Sequence, residues 1–482
     1  MLKFKSIFLF NSIVFLILVS GCKTTQLDTV SIKKHLPTMF SKDSDTVSNQ
    51  PQKWQLIFFN SDLKNLIDTA LKNNFDLRMA LQKIEMYKAG LTLNKGIRLP
   101  EVGANASIGQ RKFGDYTMDG VGNYDTQFSP NINDKQQIPN PLPDYYVGFA
   151  ASWEIDLWGK LKNKKKAAAA RFIASQHGRD LIITNLISEI ASNYFRLLAL
   201  DNEAKILADN IELQQAALDL VIAQKEAGKS NELAVEMMKA QLLSSKVIQT
   251  EVEQLILETE STINFLCGTY PKSVNRDTSY FSQHLTTTIN TGIPSDLLKN
   301  RPDIKQAEAE LNASNADVKS AQAAFYPSLS INSAMGLQAF NSLLLLETPA
   351  SLAYNLAGGL TAPLINRRRL KSELLAAKAE QKQAYINYEK TVTNSFSEVY
   401  VALKNIKNIK TMYDLKKEEV DILKKSIATS GELYKAGRAN YLEVITSQKN
   451  ALQSQLELIN LYNRQNIALV DLYRSIGGGW NN

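Results

Sequence analysis

Between Tyr145 and Leu157 every second side chain is apolar. Tyr145, Val147, Phe149, Ala151, Trp153, Ile155 and Leu157 alternate with Tyr146, Gly148, Ala150, Ser152, Glu154 and Asp156. Period two over about a dozen residues predicts a strand with one apolar face, long enough to cross a bilayer when tilted. Three further segments alternate in the same way. Val102, Ala104, Ala106 and Ile108 stand against Asn105, Ser107 and Arg111; Leu329, Ile331, Met335 and Leu337 stand against Ser330, Asn332 and Gln338. In the last, Leu352, Tyr354, Leu356, Leu360 and Leu364 stand against Asn355 and Thr361. Taken singly, each segment also fits an edge strand of a soluble sheet. Four strands cannot close a membrane barrel, whose smallest examples have about eight, and open strand edges are not tolerated in lipid. Strands of this kind that span a membrane must be pooled from several chains.

Elsewhere the apolar spacing changes to threes and fours, as in Leu233, Met237, Ala240, Leu243 and Val247, and again in Leu452, Leu456, Ile459 and Tyr462. This is helical, coiled-coil-like spacing. From Lys160 to Ala227 there is no proline and only Gly178 as glycine; from Ser230 to Leu266 there is neither. The pattern recurs with Gly431 alone between Arg367 and Ala436, and with neither breaker from Arg438 to Ile476. Two helical hairpins are predicted, each with an outgoing arm of roughly 100 Å at ~1.5 Å per residue. Gly228 and Gly437 are their turns, in the left-handed conformation that ends a helix.

The chain repeats itself. "LKNNFDL" (71–77) matches "LKNRPDI" (298–304), and Ala80, Ala89, Pro100, Asn105 and Gly109 match Ala307, Ala316, Pro327, Asn332 and Gly336. Gly228 and Gly268 then match Gly437 and Gly477. A unit of ~200 residues is far longer than the ~20–50 of a solenoid. Each copy runs in one order: a helical stretch (63–93 or 295–324), an alternating segment, a loop, a second alternating segment and a hairpin. The organisation expected is a signal at 1–21, a linker at 22–60, a first repeat at 61–294 and a second at 295–482.

The N-terminus reads as an export signal. Lys3 and Lys5 precede an uncharged run from Ile7 to Val19 that is too short to span well, and "LVSGC" ends at Cys22. The "VSGC" pattern resembles a bacterial lipobox, in which Cys22 is lipidated after cleavage; an ordinary secretory signal with an incidental cysteine is the alternative. Cys267, in "INFLCG", has no disulfide partner and reads as a small buried hydrophobe. The formal charge of +7 is spread as alternating acids and bases along helices, which gives no nucleic-acid footprint. His35, His177 and His284 lack ligand spacing, and no P-loop, zincin or nucleophile-elbow motif occurs. An enzyme, a metal site or a bound cofactor other than the lipid on Cys22 is not expected.

Residues 112–143 are rich in Gly, Pro, Asn and Asp and read as a long external loop, with 339–350 as its shorter counterpart. After each second strand comes a basic cluster: Lys160, Lys162, Lys164, Lys165 and Lys166, then Arg367, Arg368 and Arg369 with Lys371. Duplicate placement suggests a membrane edge near lipid phosphates; a solvated helix start is the other reading.

These features together resemble the TolC-like outer-membrane efflux channels, specifically the lipid-anchored outer-membrane factors of resistance-nodulation-division pumps. The words that carry the resemblance are "WQLIFFNSDLKNLIDTALKNNFDLRMA", "SWEIDLWGKL", "RPDIKQAEAEL", "LTAPLINRRRL", "AGRANYLEV" and "SIGGGW". Phe75 departs from the family's usual proline, which the second copy keeps as Pro302. The resemblance implies an α+β membrane protein. Four strands per chain give a twelve-stranded barrel in a homotrimer, set in outer-membrane lipid and continuous with a periplasmic α-helical barrel. It implies a passive exit channel for small molecules, fed by a periplasmic adaptor and an inner-membrane pump. The adaptor would meet the hairpin tips, Ala227, Gly228, Lys229 and Ser230 with Ala436, Gly437, Arg438 and Ala439. The family closes its inner hairpin with a tyrosine and acids near the tip glycine, a spacing matched by Tyr434 and Glu443, while Thr446 stands where a second acid often sits. Three copies of Glu443 about an axis would favour cations and titrate as a set; an ordinary solvated glutamate is the alternative. A polypeptide-secreting channel and a structural coiled-coil envelope lipoprotein are the competing functions, the second predicting no alternating strands.

Overall fold

The computed structural model describes residues 37, 39, 40, 53–277, 292–365 and 367–480. The signal at 1–21, Cys22 and most of the 22–60 linker lie outside the described residues. Helix α1 (Trp54–Ile57) is followed by α2 (Ser61–Asn73) and α3 (Phe75–Gly96). The periodicity predicts a single helix here, and Asn74 divides it. Its backbone is extended, and its side chain accepts from the Leu77 N–H, so it caps α3 instead of continuing α2. Phe75 is therefore the first residue of a helix, the place where proline is also at home, which explains how the two can replace each other.

Strand β1 (Glu101–Arg111) leads into a long connection and β2 (Leu142–Ile155). The connection is not wholly irregular. It contains helix α4 (Met118–Asp125), capped by Thr117, and a 3₁₀ turn at Asp134–Gln136. Gly120 and Gly122 lower helix propensity inside α4 and hide it from a pattern reading. Lys135 from this connection pairs with Glu347 of the shorter one at 2.7 Å. The first hairpin is α5 (Lys160–Glu226) and α6 (Glu232–Leu266). The second copy gives α7 (Leu297–Asn300), α8 (Pro302–Ala323), β3 (Ser328–Ala339), β4 (Leu352–Thr361), α9 (Arg368–Lys435) and α10 (Tyr441–Ser475). The break before α8 falls at Arg301, whose extended backbone is what a following proline favours.

The strands form one antiparallel sheet in the order β1-β2-β3-β4. Its register sets Ala104 beside Phe149, Phe149 beside Met335 and Met335 beside Tyr354, so the apolar residues of all four strands share one face. Glu154 faces Ser330, and Ser330 faces Gly359, on the polar face. Ile108, Tyr354 and Leu356 are 81%, 80% and 77% exposed, so the apolar face is bare in the single chain. A bilayer supplies the cover that water does not. Among the described residues both outer strands leave an unpaired edge. Among the described residues no helix is long and apolar enough to cross a membrane.

A core around Trp54, Phe58, Leu63 and Ile67 packs on the α5 face formed by Ile187, Ile190, Tyr194 and Leu198. Cys267 lies in it, with its thiol near the Leu66 carbonyl at 3.6 Å, and burial pushes that thiol up to about 11. The duplication is visible in two equivalent clasps. Asn74 donates to the Leu266 carbonyl at 2.9 Å, and Arg301, its counterpart, donates to the Ser475 carbonyl at 2.7 Å. Gly268 and Gly477 close these clasps with positive φ, and a Cβ on either would strike the backbone of Asn73 or Asn300. Trp480 adds a bond to the Asn300 carbonyl at 2.9 Å, under Lys305 at 4.3 Å from the ring centre.

Candidate functional site

The two hairpin tips share their main backbone bonds, and the second adds one from the Ala439 N–H to the Leu433 carbonyl at 3.2 Å. Gly228 donates to the Lys225 carbonyl at 2.9 Å and Lys229 to that of Gln224 at 2.8 Å. Gly437 donates to Tyr434 at 3.1 Å and Arg438 to Leu433 at 2.8 Å. This is a Schellman ending, which satisfies the last carbonyls of each outgoing helix. The glycines have φ of +73° and +68°, and a Cβ on either would meet nothing within 4 Å. Conformation alone, and no close neighbour, demands glycine there.

Each returning helix starts on an asparagine cap. Asn231 accepts from the Ala234 N–H at 3.0 Å, and Asn440 from that of Glu443 at 3.1 Å. Between cap and glycine, Ala227, Gly228 and Lys229 are exposed with Ser230 half-buried; Ala436, Gly437 and Arg438 are exposed with Ala439 half-buried. These residues form short points with a cation at each, Lys229 and Arg438. The two asparagines stand at the offset of the tip glycines, a signal that the repeat comparison contains and that a search for catalytic motifs passes over.

Tyr434 and Glu443 are both engaged within the chain. The Tyr434 hydroxyl donates to the Gln224 Oε1 at 2.6 Å, joining the second hairpin to the first one turn from both tips. Its ring packs on an apolar cluster that includes Leu218, Val221, Met238, Val444 and Ile445. Burial raises the Tyr434 pKa, so the phenol keeps its proton and remains a donor. Glu443 is exposed and completes a capping box, its Oε2 accepting from the Asn440 N–H at 2.7 Å. Thr446 is exposed three residues further on. Gln224 is the partner that sequence reasoning missed, because nothing local marks which helices of two hairpins touch.

The basic clusters are not one patch. Lys160 pairs with Glu154 at 2.6 Å, and Glu154 belongs to the polar face of the sheet. Lys164 lies one turn on from Lys160, on the same side of α5. Lys162 and Lys166 are about 200° round from Lys160 and Lys164 respectively, and Lys165 about 100° from Lys164. In the second cluster Arg369 pairs with Glu373 at 2.7 Å, Arg367 donates to the Pro363 carbonyl at 2.8 Å, and Arg368 is exposed. The lysines of the first cluster therefore do not all face one way: Lys160 and Lys164 go with the polar face. The α5 start is stabilised by Asp156, which accepts from the N–H groups of Leu161 and Lys162 at 3.0 and 2.6 Å and offsets the unfavourable placing of lysines at a helix N-terminus.

An apolar-faced sheet running into paired helical hairpins is a known design. The profile of the outer membrane efflux protein family matches residues 66–269 and 293–478, one stretch in each repeat. The chain is 28% identical over 429 residues to the pyoverdine export outer membrane protein OpmQ of Pseudomonas putida, covering 89% of this chain and 88% of that one. It is 26% identical over 450 residues to the cation efflux system protein CusC of Escherichia coli, covering 92% and 93%. Among solved structures, CusC superposes with a TM-score of 0.79 at 25% identity over 92% of this chain and 97% of its own. The outer-membrane channel OprN superposes at 0.81 and 23% identity over 96% and 99%. On sequence and on fold, in both repeats, this chain belongs to the outer membrane efflux protein family.

Proposed function

We propose that three copies of this chain form one duct, the exit of a tripartite efflux system in the outer membrane. The observation that carries this reading is the four-stranded sheet with a bare apolar face and two unpaired edges. Three such sheets joined edge to edge give twelve strands and leave no edge in lipid. The hairpins then extend the duct into the periplasm, where an inner-membrane pump of the resistance-nodulation-division class and a periplasmic adaptor complete it. Lipid on Cys22 would anchor each chain, and Lys23 in place of an aspartate directs it to the outer membrane. The relatives are named for pyoverdine, cations, solvent and toluene. These names span several chemistries, so the duct takes small molecules whose choice the pump makes. The duct itself carries cargo passively.

Docking falls to the tips, and their geometry supplies a clean test. Gly437→Asn keeps a residue that tolerates the left-handed conformation and adds no charge, whereas Gly437→Asp adds a charge to the same turn. Site-specific cross-linking to the adaptor should persist in the first variant and fall severalfold in the second, with assembled duct in the membrane unchanged in both. Cross-linking at wild-type level in Gly437→Asp would remove the tips from the docking surface.

A further inference from the structure

The duplication leaves some contacts of the chain without a counterpart inside it. Ile206 of α5 shares an apolar cluster with Leu452 and Leu456 of α10. At the offset that carries Gly228 to Gly437, Ile206 corresponds to Leu415 of α9, while Leu452 and Leu456 correspond to Leu243 and Val247 of α6. These three share no cluster in the chain and are bare: Leu415 is 65% exposed, Leu243 53% and Val247 58%. Nearer the sheet the same holds for α3. Ser320 of α8 donates to the Lys160 carbonyl of α5 at 3.0 Å, and Gln306 of α8 lies against Gly178 of α5. At the offset that carries Ala80 to Ala307, their counterparts on α3 are Leu93 and Met79, and both are exposed.

The bare residues stand at opposite edges of the helical layer. Helix α5 is central, packed on α3, α6, α8 and α10, whereas α9 packs on α8 and α10. Helix α3 leads into β1 and α9 follows β4, so the bare helical edges continue the two outer edges of the sheet. Residues that pair within a chain, with counterparts unpaired at opposite edges, are what a head-to-tail contact between copies leaves in a single copy. Charge agrees with this. Lys416 takes Glu419 and Glu457, while Lys246 and Glu418 are exposed and make no ion pair among the described residues. Lys246 and Glu418 stand at nearly equal distances along their helices from Gly228 and Gly437. At about 100° per residue, both fall on the same flank of a contact between Leu415 and the Leu243–Val247 face.

We propose that α9 of one copy seats on α6 and α3 of a second copy, repeating between chains the packing of α5 on α10 and α8 within one. Leu415 then fills the space between the partner's Leu243 and Val247, and Glu418 meets the partner's Lys246. The inference rests on the pooling of chains proposed above, and it names the residues that join them along the helices. An exposed ion pair contributes little by itself, so Glu418 and Lys246 fix the register while the apolar residues carry the seam.

The test places Val247→Cys and Leu415→Cys in one full-length chain and oxidises outer membranes that contain it. A disulfide needs Cα atoms within about 7 Å, so covalent dimers and trimers of the chain should appear on a non-reducing gel. Each single variant should give none, and neither should the wild type, whose Cys267 is buried. Both positions are bare in the single chain, so cysteine there leaves its fold in place. In the same background, Lys246→Glu should lower the yield of cross-linked trimer severalfold, and adding Glu418→Lys should restore it. No loss in Lys246→Glu, or a loss left unrestored, would overturn the register. Three-chain complexes seen by native mass spectrometry that never cross-link at this pair, or bands joining the chain to a different polypeptide, would overturn the seam and leave the duct standing. Single chains alone would overturn the duct itself.

Discussion

Asn440 and Glu443 hold each other's backbone N–H groups, and this changes what a substitution at Glu443 means. Glutamine can complete a capping box as glutamate does, so Glu443→Gln removes a charge and leaves the start of α10 in place. Alanine removes both, and losing the Asn440 cap itself costs about 1 kcal/mol. Tyr434→Phe, by contrast, deletes the hydroxyl bond to Gln224 without emptying the apolar cluster beneath it. In bilayer recordings, Glu443→Gln should reduce cation preference at unchanged resting conductance, and Tyr434→Phe should raise resting conductance at unchanged preference. Wild-type behaviour in both would place the constriction elsewhere along the helices. Glu443 was legible as a candidate from its distance to Gly437. Its capping role is equally local and can be read from Asn440 three residues before it. Gln224 was not legible, since its contact with Tyr434 spans 210 positions.

Among the elements, the strands and hairpins could be read from periodicity because each repeats a simple pattern over many residues. What periodicity conceals is facing and fine breaks. Asn74 sits inside an unbroken helical pattern yet ends one helix and caps the next. The lysines from 160 to 166 are neighbours in sequence, but at about 100° per residue they look in different directions. The motifs "RPDI" and "SIGGGW" were legible only as words; the fold joins them, through Arg301 to Ser475 and Trp480 to Asn300. Arg301 is buried between Asp303 and Glu398, at 2.7 and 2.8 Å. Removing it leaves two carboxylates with their partner gone and frees the C-terminal segment. Arg301→Leu should cost about 3–5 kcal/mol, the usual penalty for breaking a buried pair. Chemical denaturation of the detergent-solubilised protein measures this, and a midpoint unchanged from wild type would show that the clasp contributes nothing.

For the whole molecule, the sequence carried the family, the duplication and the strand count, and the strand count alone implied that chains must be pooled. The partner chains themselves leave no local pattern, because an edge strand reads the same whether it meets a second copy or solvent. The proposed anchor, Cys22 in a lipobox-like sequence, lies outside the described residues. The outer edges of β1 and β4 and the proposed docking role of the tips gain their meaning from assembly. Native mass spectrometry of the protein extracted from outer membranes in mild detergent therefore bears most directly on the account. A complex of three chains, each beginning at an acylated Cys22, is the expected result. A stable single chain, with its apolar sheet face and both edges unpaired, would contradict it.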